Sequence, residues 1–440
     1  MVNKMAREVK VGLVGFGVVG TGFVRCLREN GGQIDARAGI PIRLKTIADL
    51  DLETPRNVDT TGIRLTRDAA EILDDPEIGV VVELVGGTDF AFDLTAKALR
   101  AGKDVVTANK ALLAYRGGEL FELAEQNNRL LLFEAAVAGG IPIIQALKTG
   151  VCSSQVKSIY GILNGTANYI LTRMEESGLD FETALEEAQE KGYAEADPTF
   201  DIEGYDTTHK IVLLSQLAFG CRVLFEDAYR EGITRLTFFD LEMAGELGYR
   251  VKLLATAKRH DEELEVRCHP ALVPLESQLA AVSGVYNAVV VVGDPLGPTM
   301  FYGQGAGGPA TGAAVAADVM EAARQIVRGN DRFNLNPYSH HDYSVRSMGE
   351  CCFPYYIKLF VLDQPGVLAS VTKVLGDHSI SISSFIQKDP HKPHQTVPIV
   401  ITTHVAPEKS VVQALKEIEK LEEVAEEPFL LRIEDLDSGE

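Results

Sequence analysis

The sequence predicts an α/β protein that begins with a parallel sheet and ends with a small βαββαβ module. In residues 9–137, near-continuous apolar segments alternate with helical patterns, which is typical of a parallel sheet covered by helices on both faces. Residues 355–435 show the pattern strand, helix, strand, strand, helix and strand. At 440 residues the chain is long enough for two or three domains of about 100–200 residues each.

Apolar segments bounded by turn residues mark the N-terminal strands. The strand candidates are 9–17, 42–51, 78–87, 104–109 and 129–137, with helical patterns at 18–30, 89–102 and 117–128. From about residue 140 long helices and β-rich segments such as "NAVVVVGD" replace this rhythm, which predicts an α+β domain. We expect a first domain of 1–138 with 305–328, an α+β domain of 139–304, a polar linker of 329–352, a C-terminal module of 353–432 and an acidic tail of 433–440.

The acidic composition limits the classes of partner. The net charge of −21 argues against nucleic acid and anionic membranes, because both need a basic face. Part of that charge is at the acidic C-terminus, which we expect to be mostly a solvated surface. No run approaches the ~18–20 apolar residues of a membrane span, and no apolar signal segment precedes the first strand. The six cysteines are scattered without a CxxC pair, so we expect reduced thiols in a cytoplasmic protein.

A glycine-rich turn follows the first predicted strand and opens a helix. The turn is "GFGVVG", made of Gly15, Phe16, Gly17, Val18, Val19 and Gly20. In that context Gly15 permits the tight turn, Gly17 lets the backbone approach a pyrophosphate, and Gly20 lets helix and strand pack closely. The segment therefore predicts a Rossmann-type domain that binds NAD or NADP.

Asp49 is the candidate ribose-binding acid, because it lies near the end of the second predicted strand. It is further from the turn than the usual spacing of ~20 residues, which we attribute to a longer connection, "NGGQIDARAGIP". An acid there favours NAD by repelling a 2′-phosphate, whereas Arg43 and Arg56 nearby would offset that repulsion. The alternative is an acid in a solvated turn, and the sequence leaves the nucleotide preference open.

The segment "EGYDTTHK", residues 203–210, places Asp206 and Lys210 four residues apart at the start of an apolar helix. An exposed pair at that spacing contributes only ~0.2–0.5 kcal/mol and is usually an ordinary ion pair. Four more carboxylates crowd the same stretch: Glu195, Asp197, Asp201 and Glu203. Lys110 of "TANK" follows a predicted strand, at the sheet edge where ligands bind. Carboxylates that hold an ammonium, with a lysine that donates a proton, suit an amino-acid substrate.

These segments together resemble the homoserine dehydrogenase family with a C-terminal ACT-type regulatory module. The resembling motifs run in family order over about residues 10–328: "GFGVVGTG", "VVELVGG", "VVTANKALLA", "EAAVAGGIPII", "GILNGTANYIL", "GYAEADPTFDIEGYDTTHKIVLL" and "YGQGAGGPAT". The segment "LDQPGVLASV" resembles ACT domains. The resemblance implies reversible NAD(P)-dependent reduction of L-aspartate 4-semialdehyde to L-homoserine, in the pathway to threonine and methionine. It also implies that 139–304 binds substrate and dimerises.

The resemblance also implies residue roles. Lys210 matches the catalytic proton donor, Asp206 its acidic partner in the substrate site, and Lys110 a lysine beside substrate and cofactor. Glu195 and Asp201 match positions that contact homoserine, with Glu195 facing its amino group. Further cofactor-contacting positions are Thr88, Gly192 and Gly307. The positions of a sodium site are the Glu134 side chain and the carbonyl groups of Val137, Gly139 and Ile141.

One departure from the family concerns the nucleotide. Many members carry an arginine directly after the acid of the second strand, where it suits a 2′-phosphate, but this chain has Leu50. Leu50 at this position weakens the expectation of a preference for NADP and favours NAD. The sequence alone leaves NAD and NADP as alternatives.

The C-terminal module implies regulation. Asp363, Pro365 and Gly366 form a predicted turn between strand and helix, and in ACT-like modules this turn commonly lines an amino-acid effector site. Threonine, an end product, is the natural candidate, whereas the alternative is a module that only dimerises. Both possibilities fit a homodimer or homotetramer. Two other functions stay open at this point: another NAD(P)-dependent oxidoreductase on an aspartate-derived substrate, and a non-catalytic amino-acid sensor that only binds nucleotide.

Overall fold

The N-terminal part of the protein is a parallel sheet with helices on both faces. The structure is a computed structural model that describes residues 8–329, 341–388 and 396–436. The first elements are β1 (Val9–Val14), α1 (Val18–Ala38), β2 (Ile42–Ala48), β3 (Arg64–Thr66), α2 (Ala70–Leu73), β4 (Ile78–Glu83), α3 (Asp89–Arg100), β5 (Asp104–Thr107), α4 (Lys110–Gln126) and β6 (Leu131–Leu132). The six strands pair in parallel in the order β3-β2-β1-β4-β5-β6, which confirms the predicted Rossmann-type sheet.

The register of this sheet brings several strand ends to one edge. Val14 at the end of β1 pairs with Ala48 on one side and Glu83 on the other, and Glu83 pairs with Thr107. The strand order reverses between β1 and β4, where open α/β sheets bind ligands. The segments that follow β1, β2, β4 and β5 therefore lie around one crevice, and Lys110 begins the helix after β5.

Two N-terminal predictions are wrong in detail. Helix α1 runs eight residues past the predicted end, through "GGQIDARA", and ends at Gly39 in the left-handed conformation (φ 74°). Most of the extra residues between the glycine-rich turn and Asp49 therefore belong to helix α1. Packing of α1 against the rest of the domain outweighs the ~1 kcal/mol that each of Gly31 and Gly32 costs inside a helix. The predicted strand 129–137 contributes only β6 to the sheet edge, and a 3₁₀ turn begins at Glu134.

The middle part adds a mixed sheet with helices on it. Its elements are α5 (Ile143–Gln145), β7 (Gln155–Ile162), α6 (Gly165–Ser177), α7 (Phe181–Glu190), α8 (Thr199–Ile202), α9 (Tyr205–Phe219), β8 (Tyr229–Arg230), α10 (Phe238–Glu246), β9 (Tyr249–His260), β10 (Glu263–Pro274), β11 (Tyr286–Asp294), β12 (Gly297–Gln304) and α11 (Gly308–Arg328). Helix α9 is buried along its length and packs on β7, β9, β10 and α4. Helix α11 returns to the first part and packs against α1.

The C-terminal module has the predicted order of elements. The chain after α11 contains β13 (Ser344–Val345), β14 (Cys352–Phe353), β15 (Tyr355–Leu362), α12 (Val367–Asp377), β16 (Ile382–Gln387), β17 (Thr396–Thr403), β18 (Ala406–Pro407), α13 (Glu408–Ile418) and β19 (Phe429–Ile433). The βαββαβ unit is β15, α12, β16, β17, α13 and β19. This confirms the predicted unit, whereas the domain boundaries given above stay predictions.

The module is joined to the middle part by backbone hydrogen bonding. Strand β19 pairs in parallel with β10, so that one sheet runs in the order β12-β11-β7-β9-β10-β19-β15-β17-β16. Short β13, within the predicted linker, also pairs with β10. The expectation of a solvated acidic C-terminus is wrong at Glu434, which is 1% exposed because its carboxylate pairs with Arg267 on β10 (2.8 Å).

Two further observations concern the cysteines and the hydrophobicity of the helices. The six cysteines, all within the described residues, form no disulfide in this structure, and Cys221, Cys268 and Cys351 are buried. Every helix of the described residues is too short or too polar to cross a bilayer.

Candidate active site

The glycine-rich turn has the geometry that a dinucleotide site needs. Gly15 has a left-handed φ of 101°, and a Cβ there would collide with the backbone at Leu84. A Cβ at Gly20 would collide with the Gly15 carbonyl oxygen, so this glycine allows α1 to pack closely on the turn. A Cβ at Gly17 would meet no atom within 4 Å, so this backbone position is open toward a ligand. The geometry at Gly15 and Gly20 agrees with the tight turn and the close packing predicted for them, whereas approach of a pyrophosphate at Gly17 stays a prediction.

Two cavities flank the turn. Gly15, Gly17, Asp49 and Leu50 line one of about 820 Å³. Another, of about 420 Å³, lies where the N-termini of α1 and α11 meet, and its lining includes Phe16, Gly17, Val18, Arg56 and Gly308. Backbone N–H groups at helix N-termini favour anionic ligands. The arrangement can accommodate the diphosphate of a dinucleotide, whereas Thr88 and Gly192 line neither of these cavities.

Asp49 organises the turn. Its carboxylate accepts hydrogen bonds from the backbone N–H of Phe16 and, at 2.8 Å, from that of Asp51. Arg56 donates to the Phe16 carbonyl and lies 3.8 Å from the Asp49 carboxylate. Arg43 instead pairs with Asp35 at 2.7 Å and lines neither of the two cavities, so it does not offset the charge of Asp49.

The pair Asp206 and Lys210 is buried rather than exposed. Lys210 Nζ lies 2.7 Å from Asp206 Oδ2 and donates to the Leu163 carbonyl at 2.6 Å. The two residues are 5% and 8% exposed, respectively, so water does not screen the pair as it would on the surface. The structure therefore rules out an ordinary surface ion pair.

Lys110 joins the same carboxylate from the other part of the chain. Its Nζ lies 3.0 Å from Asp206 Oδ1. Asn109, the N-cap of α4, accepts from Leu112 N and donates to the Gly87 carbonyl, which fixes the start of the helix that carries Lys110. The Asp206 carboxylate raises the pKa of Lys110, against the lowering effect of burial.

The site contains a polar residue that the spacing analysis missed. Asn164, the N-cap of α6, donates to Asp201 Oδ1 at 2.7 Å and to Asp206 Oδ2 at 2.9 Å. Burial, with the like charge of Asp206 adding to it, raises the pKa of Asp201. Burial also raises the pKa of Asp206, but Lys210 and Lys110 outweigh it, and the net shift is downward. The "LNGT" turn before an apolar helix is an N-cap signal, but nothing in it identifies the two carboxylates.

The remaining predicted substrate residue lies at the open side of the site. Glu195 is exposed on the segment between α7 and α8, close enough to contribute to the raised pKa of Lys110. On the closed side, His209 stacks on Phe225 with ring centroids 4.4 Å apart, and burial lowers its pKa to about 4. Phe200 lies beside Lys110, with Nζ 5.8 Å from the ring centroid. Lys110 thus has the Phe200 ring beside it and is influenced by exposed Glu195, while both lysines contact the buried carboxylate of Asp206.

Comparison with known proteins decides the family. The chain is 41% identical to a protein named homoserine dehydrogenase from Pseudomonas aeruginosa, over 98% of this chain and 100% of the relative. The chain belongs to the homoserine dehydrogenase family. Family profiles described as homoserine dehydrogenase and as homoserine dehydrogenase, NAD binding domain match residues 142–320 and 15–134, and one described as ACT domain matches 355–423. The predicted resemblance and the class of activity, an oxidoreductase with a nucleotide-binding domain, are confirmed.

Further homoserine dehydrogenases agree in sequence and fold. One from Neisseria gonorrhoeae is 42% identical over 98% of this chain and 99% of its own. A crystal structure of a homoserine dehydrogenase from Thiobacillus denitrificans superposes with a TM-score of 0.93 at 44% identity, covering 98% of this chain and 99% of that one. A hyperthermophilic archaeal homoserine dehydrogenase in complex with NADPH has a TM-score of 0.62 at 26% identity, over 74% of this chain and all of that one. Family membership favours an enzyme over the alternative of a non-catalytic sensor.

Two segments singled out by the family resemblance lie outside this lysine and carboxylate cluster. Glu134 is 5% exposed, and its carboxylate accepts from Ile144 N at 2.9 Å and Gln145 N at 2.7 Å. Ala138 and Gly139, with φ of 54° and 51°, bend the chain after it. In the C-terminal module, the turn with Asp363, Pro365 and Gly366 connects β15 to α12, as predicted, and is exposed.

Proposed function

We propose that Lys210 is the proton donor in reversible reduction of L-aspartate 4-semialdehyde to L-homoserine by this chain. The observation that supports this role is the contact of one buried carboxylate, Asp206, with two ammonium groups, those of Lys210 and Lys110. A lysine so held is preorganised for a substrate oxygen at the carboxyl edge of the sheet.

The side chains have separate tasks in this mechanism. A bound nicotinamide nucleotide supplies the hydride to the aldehyde carbon. Lys210 donates a proton to the carbonyl oxygen as negative charge develops there, and Lys110 lies beside it as a second cation. Asp206 keeps both lysines in place. In the oxidation direction a lysine must first lose its proton to act as base, so the rate rises with pH.

We assign the ammonium group of the substrate to the carboxylates. Asp201, Asp206 and exposed Glu195 carry more negative charge than the two lysines balance. A substrate ammonium would add the missing cation, with Glu195 facing it from the open side. This surplus supports an amino-acid substrate rather than an uncharged alcohol.

For the nucleotide we propose that both forms bind and that NAD is preferred. Asp49 and Leu50 line the same cavity, Leu50 is 84% exposed there, and neither can pair with a 2′-phosphate. Arg67 lines this cavity too, but its guanidinium donates to the Leu50 carbonyl at 3.2 Å and pairs with Glu53 at 2.9 Å. Arg56 lines the other cavity, where its guanidinium is engaged with Asp51 (3.4 Å) and the Phe16 carbonyl. Thr88, Lys110, Gly192 and Gly307 stay proposed contacts to the nucleotide.

We propose the segment 134–141 as a sodium site. The donors would be the Glu134 carboxylate and the carbonyl groups of Val137, Gly139 and Ile141, all oxygen atoms, which suit a hard cation. The bend at Ala138 and Gly139 takes these carbonyl groups out of helix or strand pairing. The Ile141 carbonyl also accepts from Ile143 N at 2.8 Å, so it would be a shared ligand.

For regulation we propose that an amino acid binds at the turn with Asp363, Pro365 and Gly366. The exposed turn precedes the N-terminus of α12, and Gly366 has a left-handed φ of 101°. Threonine is the candidate effector, and absence of both calorimetric heat and kinetic inhibition by threonine would remove it. A homodimer or homotetramer, a location in the cytoplasm and a role toward methionine as well as threonine stay proposals.

The direct test is the initial rate of L-homoserine oxidation at alkaline pH, with NAD and NADP compared in matched sodium and potassium buffers. We expect turnover with both nucleotides and a higher kcat/KM with NAD. Malate and aspartate as substrates separate this enzyme from another oxidoreductase. Turnover of malate but not of homoserine would contradict the proposed substrate.

A further inference from the structure

Asn164 connects the two carboxylates of the proposed substrate site. Its Nδ2 donates to Asp201 Oδ1 and Asp206 Oδ2, at 2.7 Å and 2.9 Å. Its Oδ1 accepts from Ala167 N at 2.7 Å and thereby caps α6. The amide nitrogen has two hydrogens and both are used, while the oxygen faces an N–H donor, so the network fixes the orientation of the amide.

The amide is placed where like charges come together. The charged and titratable groups that interact with the two carboxylates are Lys110 of α4, His209 and Lys210 of α9, and Cys268 of β10. Glu195 before α8 acts on Lys110, and Arg230 of β8 acts on His209. Lys110 and Lys210 contact Asp206, whereas Asp201 accepts from the neutral side chain of Asn164 at 2.7 Å and has the Thr166 hydroxyl as a further hydrogen-bonding neighbour. A neutral donor shared by two carboxylates stabilises the ionised form of both.

We propose that Asn164 is a positioning residue that holds Asp201 and Asp206 ionised and side by side, so that both can receive the substrate ammonium. This inference rests on the proposed function of the site. Asn164 acts through the two carboxylates and need not touch substrate itself. Because it begins helix α6 and its neighbour Leu163 accepts from Lys210, one turn of chain sets the place of the acids and of the proton donor.

Two substitutions separate this role from capping of the helix. Asn164→Asp and Asn164→Ser both keep a good N-cap residue, but Asp removes the two donors and adds a charge, and Ser is too short to join the carboxylates. Asn168→Ser is the matched control: Asn168 is 2% exposed, one turn along the same helix, and donates to the Gly284 carbonyl at 2.9 Å.

The readout is kcat/KM for homoserine as a function of pH, with nucleotide affinity and thermal unfolding measured on the same samples. We expect Asn164→Ser to lower kcat/KM roughly 10- to 100-fold, the effect of losing hydrogen bonds to charged groups, with nucleotide affinity kept. In Asn164→Asp the acid limb of the profile moves to higher pH, since three neighbouring carboxylates bind protons more tightly and raise the pKa of the lysines. Asn168→Ser lowers the unfolding temperature and leaves the limb in place.

The outcomes are decisive. An unmoved limb in folded Asn164→Asp, or an equal shift in Asn168→Ser, overturns the inference. If Asn164→Asp does not fold, Asn164→Ser decides, because unchanged kcat/KM in that variant overturns it too. If wild-type protein oxidises no homoserine, the proposed function fails instead. The inference is then judged by unfolding: relative to wild type, Asn164→Asp should lose stability as pH rises, because its acids have raised folded-state pKa values.

Discussion

Lys110 Nζ lies 3.0 Å from Asp206 Oδ1, and this ion pair joins the first helix turn after β5 to the buried helix α9. The other oxygen of the same carboxylate lies 2.7 Å from Lys210 Nζ. One acid therefore fixes two lysines that are 100 residues apart in the chain. The nucleotide-binding sheet and the proposed substrate site are connected through this carboxylate.

Asp206→Asn should lower kcat strongly and change how stability depends on pH. The folded-state pKa of Asp206 is lowered, so its ionised carboxylate adds to the free energy of unfolding above about pH 4, and this stabilisation is lost as pH falls. The folded-state pKa of Lys110 is raised, so its ammonium group adds to the free energy of unfolding below about pH 10, and this stabilisation is lost as pH rises. The difference in unfolding temperature between wild type and variant should be largest between these limits. A difference that is constant from pH 3 to pH 11 would contradict the ion-pair account.

Lys210→Ala should lower kcat for homoserine oxidation by about 10²- to 10⁴-fold, the usual contribution of a general acid or base. Nucleotide affinity, measured by calorimetry, should stay at the wild-type value. Lys252→Ala is the control, since Lys252 is also buried and donates to a carbonyl, that of Val282. It should lower the unfolding temperature and keep kcat. Full turnover in Lys210→Ala would refute the assignment of the proton donor.

Gly17→Ala and Gly20→Ala should fail in different ways. The Cβ of Gly17→Ala meets no protein atom within 4 Å, so the variant should fold normally but bind nucleotide at least tenfold more weakly if the pyrophosphate approaches this backbone. The Cβ of Gly20→Ala collides with the Gly15 carbonyl, so this variant should lose about 1–3 kcal/mol of stability. Thermal unfolding with and without NAD separates the two effects, and equal unfolding temperatures without nucleotide would contradict the packing role of Gly20.

Glu434→Gln should destabilise the joint between the C-terminal module and β10. Burial raises the pKa of Glu434, but Arg267 and Lys258 outweigh it and hold that pKa at about 2. The ionised carboxylate of Glu434 therefore stabilises the folded state above the ordinary carboxyl pKa, and this stabilisation is lost as pH falls toward 2. Loss of one partner of a buried pair costs about 3–5 kcal/mol. Glu119→Gln, at an exposed pair with Arg116, is the control and should change stability by less than about 1 kcal/mol.

The sequence predicted most of the fold, because its signals are local. Apolar segments alternate with helical patterns over β1 to β5. The turn at Gly15 to Gly20 is predictable because a side chain at Gly15 or Gly20 would collide with backbone atoms. The prediction failed where tertiary packing overrides local preference. Helix α1 continues through Gly31 and Gly32, and the apolar stretch 129–137 leaves the sheet after two residues.

The candidate site was only partly predictable. The spacing of Asp206 and Lys210 placed them on one helix face, and the resemblance to the family singled them out. The Asn164 bridge had no signal, because its partners Asp201 and Asp206 lie 37 and 42 residues away in sequence. An N-cap asparagine has the same local pattern whether its amide nitrogen meets water or two carboxylates.

By itself the sequence determined the parallel sheet, the glycine-rich turn and the family, since each depends on residue types at fixed local spacing. Only the tertiary structure decided that one carboxylate holds two lysines, and that Glu434 is buried rather than solvated. It also decided that the C-terminal module continues the sheet of the middle part through β10 and β19. Charge burial and strand pairing depend on which distant segments of the chain come into contact, and no local sequence pattern encodes those contacts.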